Sequence, residues 1–312
     1  MSSFGGRFAN LLEYVGGKSP SYYHTVPPVG YDPDDPTAYY LDFTARADFQ
    51  GPYDEDDIPL QPTEDGRALH FPTMIAMYGL GQVEKYRSGG GVASLNRFRK
   101  AVYWIKENQA PDGSWPVEIP KTKYNLKPPF LSAMVQGLAI SLLARGALIF
   151  EAERFLDTAR KALAPFDKAV GQGGVTTIGE GGPWYEEYPC NPPRHVLNGF
   201  IYTLLGLYDL IRVDDNPEAL RLWDAGVQSL RERLPSFDNG YWSLYQLPPQ
   251  PENPATVAYH RLHINQLKVM AELTGEPLFA RFRDRWEAYA SNFVNRIRTL
   301  PAKLRWLGSD GF

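Results

Sequence analysis

From about Arg67 onward, apolar residues recur at three- and four-residue spacing, the period of a helix with one buried face. The spacing predicts helices near 68–86, 93–109, 129–149, 151–165, 194–212, 217–234, 257–274 and 277–298, which group into four pairs. After three of the pairs comes a loop with a glycine just before a tryptophan: Asp112-Gly113-Ser114-Trp115, Gly181-Gly182-Pro183-Trp184 and Asn239-Gly240-Tyr241-Trp242. Helix pairs with recurrent loops predict an all-α fold, an α/α toroid of about four helix pairs whose loops gather at one end around a cleft. Chance recurrence of Gly and Trp in loops is the competing explanation. Gly199 and Gly206 lie on one helix face, and Gly137 falls mid-helix between Ala133 and Ala139. A mid-helix glycine costs about 1 kcal/mol against alanine, so these positions anticipate close helix packing.

Residues 1–66 lack this period and are rich in Pro, Gly, Tyr and Asp. They read as a short irregular or β arm packed on the helical region, 67–312, with strands expected at Tyr39–Phe43 and Arg46–Gln50. The density of aromatics, including Tyr39, Tyr40, Phe43 and Tyr53, gives 31–60 a place in the cleft wall. The acidic run Asp54–Asp57 lacks the spaced ligands and glycine of a calcium loop and reads as solvated.

Composition narrows the function classes. Of 312 residues, 43% are hydrophobic, enough for a substantial core, and the formal net charge of −4 disfavours a nucleic-acid binder. An acidic ligand must then be held by a local site rather than by the overall field. Cys190 stands alone, which excludes an internal disulfide framework, and it reads as an inert, partly buried thiol. No basic start followed by an apolar stretch marks a signal peptide, and Leu138–Phe150 is short for a membrane span and interrupted by Arg145 and Gly146. The expectation is a soluble, cytoplasmic chain without membrane or nucleic-acid partners.

Three stretches could carry chemistry. Pro183–Pro193 sets Trp184, Tyr185, Glu186, Glu187 and Tyr188 between prolines, ahead of an apolar helix beginning near Val196. Acids and phenols on a stiff loop at a helix mouth suit proton transfer; aromatics capping a core would look the same. In Tyr259–Leu267, helical spacing puts Tyr259, His263 and Gln266 on one face. Each histidine there could equally bond a backbone carbonyl, and His260 with His263 alone lacks the further ligands of a metal site. In Asn239–Leu247, alternation puts Tyr241, Ser243 and Tyr245 on one side. No Gly-x-Ser-x-Gly elbow, phosphate loop or dinucleotide fingerprint is present.

The ordered motifs resemble the catalytic domain of the glucuronyl C5-epimerases, enzymes that convert D-glucuronate to L-iduronate in heparosan and heparan sulfate. The resemblance runs from roughly residue 40 to 290. It rests on Trp184–Pro189, Val196–Phe200 and Gly206–Leu210, with Tyr78-Gly79-Leu80, Asn108-Gln109, Gly113–Pro116, Ser132–Met134, Gln136-Gly137, Ala139–Ser141, Tyr259-His260 and His263–Leu267. It implies a compact form without the β-rich domain of the animal enzymes, with active-site residues Glu187, Tyr188, Tyr245 and Tyr259. After the middle tyrosine, Gln246 and Pro248 stand where the family carries an aspartate and an arginine. Substrate contacts are expected from Tyr78, Gln136, Trp184, Arg194, His195, Asn198, Arg261 and His263. The implied partner is an acidic, heparosan-like polysaccharide. No metal or other cofactor is required, and a homodimer is the assembly considered.

The chemistry that the resemblance implies follows from the residue types. The C5 proton of a uronate is a very weak acid because the neighbouring carboxylate is already negative, so donors must stabilise the developing enediolate. A base is needed on each face of the ring, with Glu187 expected on one and Tyr259 on the other. A phenol, ordinarily near pKa 10, is a ready proton donor and becomes a base only with help from cations or donors. Arg194, His195, Arg261 and His263 are candidates for that help or for holding the carboxylate. A uronate lyase, which shares the first step, and a non-catalytic glycan-binding module are the alternatives.

Overall fold

A computed structural model describes residues 32, 34–63, 65–247 and 252–309. The start of the expected arm, through Tyr31, and Pro248 lie outside the described residues. The fold is all-α, and every helix that the periodicity predicts is present. The long helices are α1 (Pro72–Lys85), α2 (Gly91–Glu107), α3 (Ala133–Phe150), α4 (Glu153–Lys161), α5 (Leu197–Asp214), α6 (Pro217–Arg233), α7 (Val257–Thr274), α8 (Pro277–Ser291) and α9 (Phe293–Ser309). Short antiparallel ladders accompany them, among them β1 (Leu60–Pro62) with β2 (Ala68–His70), and β3 (Thr176–Gly179) with β4 (Gly182–Tyr185).

Local chemistry sets the boundaries. Pro72 and Pro277 stand in the first turns of α1 and α8, where their missing N–H costs nothing. Thr256 caps α7 by accepting from the Tyr259 amide, and Gly275 ends that helix at φ 66°. The predicted segment 151–165 is cut at Lys161, and Pro165 belongs to a separate tight turn, Ala164–Asp167. The segment 277–298 breaks where Asn292 turns extended, between α8 and α9.

The expected strands at 39–43 and 46–50 are absent, and strands form instead at β1 and β2. Ala38, Tyr39, Tyr40 and Leu41 are all buried in succession, which a two-sided strand with one solvent face cannot achieve. Side chains, not a ladder, take their backbone groups: the Tyr39 amide donates to Glu84 Oε1 (2.9 Å) and the Ala38 carbonyl accepts from Arg145 Nη2 (2.5 Å). Thr44–Ala47 then forms a helical turn.

The described chain divides into two compact units. One comprises residues up to His195 together with Gly199–Leu230; the other comprises Val196–Asn198 and everything from Arg231. In the first, α3 is long and apolar enough to cross a membrane by length and composition, yet 83% of it is buried inside the protein. Arg145, which interrupts its apolar run, is fully buried and forks onto Asp209 of α5 (2.7 and 3.1 Å), and Tyr40 donates to the same carboxylate (2.8 Å). A buried charge persists only when paired and hydrogen-bonded, and this pair fastens residues 38–40 to two core helices. Where α3 and α5 meet, a Cβ on Gly206 would lie 2.1 Å from the Gly137 carbonyl oxygen.

The three Gly-Trp loops share local structure. Gly113, Gly182 and Gly240 sit at φ 85°, 95° and 87°, a region closed to most other residues. Two residues on, Trp115, Trp184 and Trp242 are buried to 1% exposure or less. The indole N–H of Trp115 donates to Ile105 O (2.7 Å) and that of Trp242 to Ala255 O (2.9 Å).

Candidate active site

In the first unit, Glu186 and Glu187 follow directly on β4. The Glu186 amide donates to Val175 O (2.7 Å), and its carbonyl accepts from the Ala133 amide (2.9 Å) at the start of α3. Its carboxylate accepts from Thr177 Oγ1 (2.6 Å) and pairs with His195 Nδ1 (2.7 Å). Glu186 is thereby a clamp, and it fixes the backbone from which Glu187 projects.

Glu187 is 8% exposed, and its Oε2 has no hydrogen-bond partner among the described residues. The carboxyl lies against the first turn of α5, where a Cβ at Gly199 would come within 2.3 Å of Oε2. Glycine at 199 is what makes room for it. Burial pushes the Glu187 pKa up to about 7, against the opposing pull of a hydrogen bond from Tyr188 and the charge of Lys121. The positive end of α5 also favours the ionised form. A carboxyl held near neutrality can both take and release a proton at working pH.

Lys121 and Tyr124 complete this cluster, and the sequence reading missed both. Mutual backbone hydrogen bonds between Lys121 and Leu126 (3.0 and 3.1 Å) close a tight loop in which Asn125 takes φ 52°. Burial holds the Lys121 pKa below its usual value, opposed by the charge of Glu187, and Nζ lies 5.2 Å from the centre of the Phe71 ring. Tyr124 stacks on Tyr188, with ring centres 4.2 Å apart and planes at 18°. The available signal was a lysine and a phenol between Pro120 and Pro128, a proline-flanked composition like that of 183–193. Beside the Glu187 loop, Pro189, Phe130, Leu131, Asp112 and Ser114 help line a cavity of about 570 Å³.

The other expected residues of this unit have varied settings. Gln136 is fully buried and its amide is taken up by the backbone: Nε2 donates to Gly113 O (3.0 Å) and Ala162 O (2.9 Å), and Oε1 accepts from the Trp115 amide (3.2 Å). Trp184 is buried in a stack with Phe200, centres 3.8 Å apart. Arg194 is half-buried near Cys190, whose thiol burial pushes up to about 11, as befits an inert cysteine. Tyr78, six residues into α1, shares a separate cavity of about 240 Å³ with Tyr53 and Arg97.

In the second unit, Tyr245 and Tyr259 meet edge to face, ring centres 4.8 Å apart. Both are half-buried and pack against a core of Tyr241, Trp242, Ala255 and Val257. Backbone bonds hold Tyr245, its amide donating to Asn253 O (2.8 Å) and its carbonyl accepting from the Leu197 amide (3.2 Å). His260 is fully buried, stacked on Trp242 (3.7 Å, 13°), with Nε2 at 3.0 Å from Trp286 O. His263 is equally buried; its Nδ1 meets Ser243 Oγ at 2.9 Å, and its Nε2 has no partner among the described residues. Burial lowers the pKa of both rings, to about 3 for His260. Gln266 donates to the Asn198 carbonyl (3.0 Å), and Arg261 is half-buried. The alternation expected at 241–245 is lost, since Trp242, Ser243 and Leu244 are all buried in a row.

A helical scaffold that holds a near-neutral carboxyl beside a cation and stacked phenols is equipped for proton transfer. Comparison with known proteins is more specific. Residues 109–288 match the family described as D-glucuronyl C5-epimerase C-terminus, and the chain belongs to that family. Over 213 residues it is 39% identical to a D-glucuronyl C5-epimerase of Caenorhabditis elegans, covering 62% of this chain and 35% of that protein. Over 170 residues it is 31% identical to an uncharacterized protein of Methanocaldococcus jannaschii, covering 52% of this chain and 53% of the relative. The matched region thus spans about a third to a half of the relatives' lengths.

Proposed function

We propose that this protein is an isomerase that inverts C5 of D-glucuronate residues in an acidic, heparosan-like polysaccharide. The observation that carries the reading is Glu187, a buried carboxyl with a free oxygen and a pKa raised to about 7. On an exposed loop such a group would be fully ionised and a weaker base near neutrality. Glu187 removes the C5 proton, and Tyr259 returns one from the other face of the ring, with Tyr188 and Tyr245 orienting the sugar or carrying protons in its place. Lys121 supplies positive charge where the uronate carboxylate gathers electron density as the proton leaves. Arg194, His195, Arg261 and His263 were the sequence-based choices for this carboxylate; the full burial of His263 and the pairing of His195 with Glu186 favour Lys121.

Heparosan incubated with the protein in deuterated water is the test. Deuterium at C5 with new iduronate signals and no chain cleavage is the expected result. Unsaturated uronate would identify a lyase instead, and binding without exchange a glycan-binding module. Tyr259→Phe should abolish epimerisation yet still wash deuterium into only one of the two epimers, because Glu187 remains to exchange the proton on its own face.

A further inference from the structure

Ser243 sits where the loop bearing Tyr245 meets the helix bearing Tyr259. Its amide and hydroxyl approach His260 Nδ1 at 3.2 and 2.7 Å, and the same hydroxyl lies 2.9 Å from His263 Nδ1. A single hydroxyl touching two imidazoles constrains both. At the far side of His260, Nε2 faces the carbonyl of Trp286 at 3.0 Å. A carbonyl only accepts, so His260 Nε2 carries the proton. With the ring neutral, Nδ1 holds a lone pair and accepts from the Ser243 amide and hydroxyl. The hydroxyl proton is then committed to His260, and its oxygen can only accept from His263. His263 is therefore protonated at Nδ1, and its Nε2 holds a lone pair. Turning the hydroxyl the other way would set two lone pairs against each other 2.7 Å apart. Burial keeps both rings neutral, which this alternation of donors and acceptors requires.

We propose that Ser243 is a positioning residue for the Tyr245–Tyr259 pair: through His260 and His263, held as opposite neutral tautomers, it ties the loop of one tyrosine to the helix of the other. Ser243 lies two positions before Tyr245, with only Leu244 between them, and His260 directly follows Tyr259. Trp242 stacked on His260 and the Ala255 amide bonded to Ser243 O (2.9 Å) hold the loop in the same register. The chain of bonds runs Trp286 carbonyl, His260, Ser243, His263, and every link lies in one compact unit. It touches no reacting atom; its part is to set where two phenols stand. The inference about turnover rests on the epimerase reading, while the tautomers and the ring contact do not.

The test is nitrogen-15 NMR of the histidine-labelled 312-residue chain, which has five histidines. His260 is expected as the Nε2–H form and His263 as the Nδ1–H form, both unchanged between pH 5 and 8, with a ring-to-ring NOE between Tyr245 and Tyr259. In Ser243→Ala, His263 should lose its preference for Nδ1–H and the NOE should weaken. Under the epimerase reading, kcat should fall about tenfold to a hundredfold with KM little changed, as for a small displacement of reacting groups. Ser243→Thr, which keeps the hydroxyl, should recover the tautomers and most of the rate. A protonated or Nε2–H His263 in the unmodified protein would overturn the proposal, as would a Ser243→Ala variant with unchanged tautomers and NOE. Should the protein lack epimerase activity altogether, the NMR results still decide the relay, and only the rate prediction falls with the functional reading.

Discussion

Glu187 in one unit and the His260–His263 pair in the other are both withdrawn from water, and burial carries their protonation in opposite directions. For an acid the charged form is the deprotonated one, so desolvation lifts the Glu187 pKa toward neutrality. For a base the charged form is the protonated one, so desolvation drives both histidines below the range where they would titrate. Partnering differs as well. Glu187 Oε2 is left without a donor among the described residues, whereas three of the four ring nitrogens of the histidines are engaged. The same physical cost thus leaves one group responsive and the other two fixed. A buried titratable residue earns a chemical role only when its shifted pKa lands near working pH and an atom stays open.

Four substitutions probe this contrast, taken from the largest effect down. Glu187→Gln removes the responsive group and should lower epimerisation by about 10²–10⁴-fold, the usual worth of a general base, in a C5-deuterium assay. The same variant should be more stable than the parent above pH 7. The folded-state pKa of about 7 lies above the ordinary 4.5, so the folded protein binds the extra proton and its stability falls as pH rises between those values. Removing the group erases that slope, a gain of up to about 3 kcal/mol at alkaline pH, measured by denaturant unfolding across pH.

Gly199→Ala should come next. Its methyl would meet Glu187 Oε2 and Cβ at 2.3 and 2.7 Å, so the carboxyl must move. Turnover should drop about a hundredfold, the scale for a displaced reacting group, while circular dichroism stays helical. Near-normal turnover would remove Glu187 from the mechanism. Lys121→Met tests the electrostatics: activity of the parent should rise with pH through about 7 as Glu187 ionises, and loss of the cation that lowers this pKa should move the limb to higher pH. An unmoved limb would separate Lys121 from Glu187. Cys190→Ala should change least, leaving the pH profile in place, because the thiol pushed up to about 11 takes no part in chemistry near neutrality.

Much of the helical framework was written in the chain. The 3–4 spacing located every predicted helix because burial of one face is a local, periodic demand, and the stripe of Tyr259, His263 and Gln266 falls on α7. The glycines before Trp115, Trp184 and Trp242 all occupy positive φ, a preference that a single residue type declares. Pro183–Pro193 also stood out, since adjacent acids and phenols between prolines are visible without a fold.

Other features required distant segments to meet. Residues 39–43 resembled a strand in sequence, but Arg145, Asp209 and Glu84 supply partners to residues 38–40 from three helices. Lys121 gains its relevance from Glu187, 66 residues away; the prolines around it mark a stiff loop but do not identify the carboxylate whose charge acts on it. Glu186 and Glu187 are adjacent and alike in sequence; contacts of one Glu186 oxygen with Thr177 and His195 made that residue a clamp, and burial against Gly199 raised the pKa of Glu187. Ser243 looked like one member of an alternating loop, and became a relay only beneath two buried imidazoles. Periodicity reports which faces leave water, because that demand acts on each segment by itself. Which acid is held near neutrality and which hydroxyl is committed depend on burial and on partners that only folding brings together.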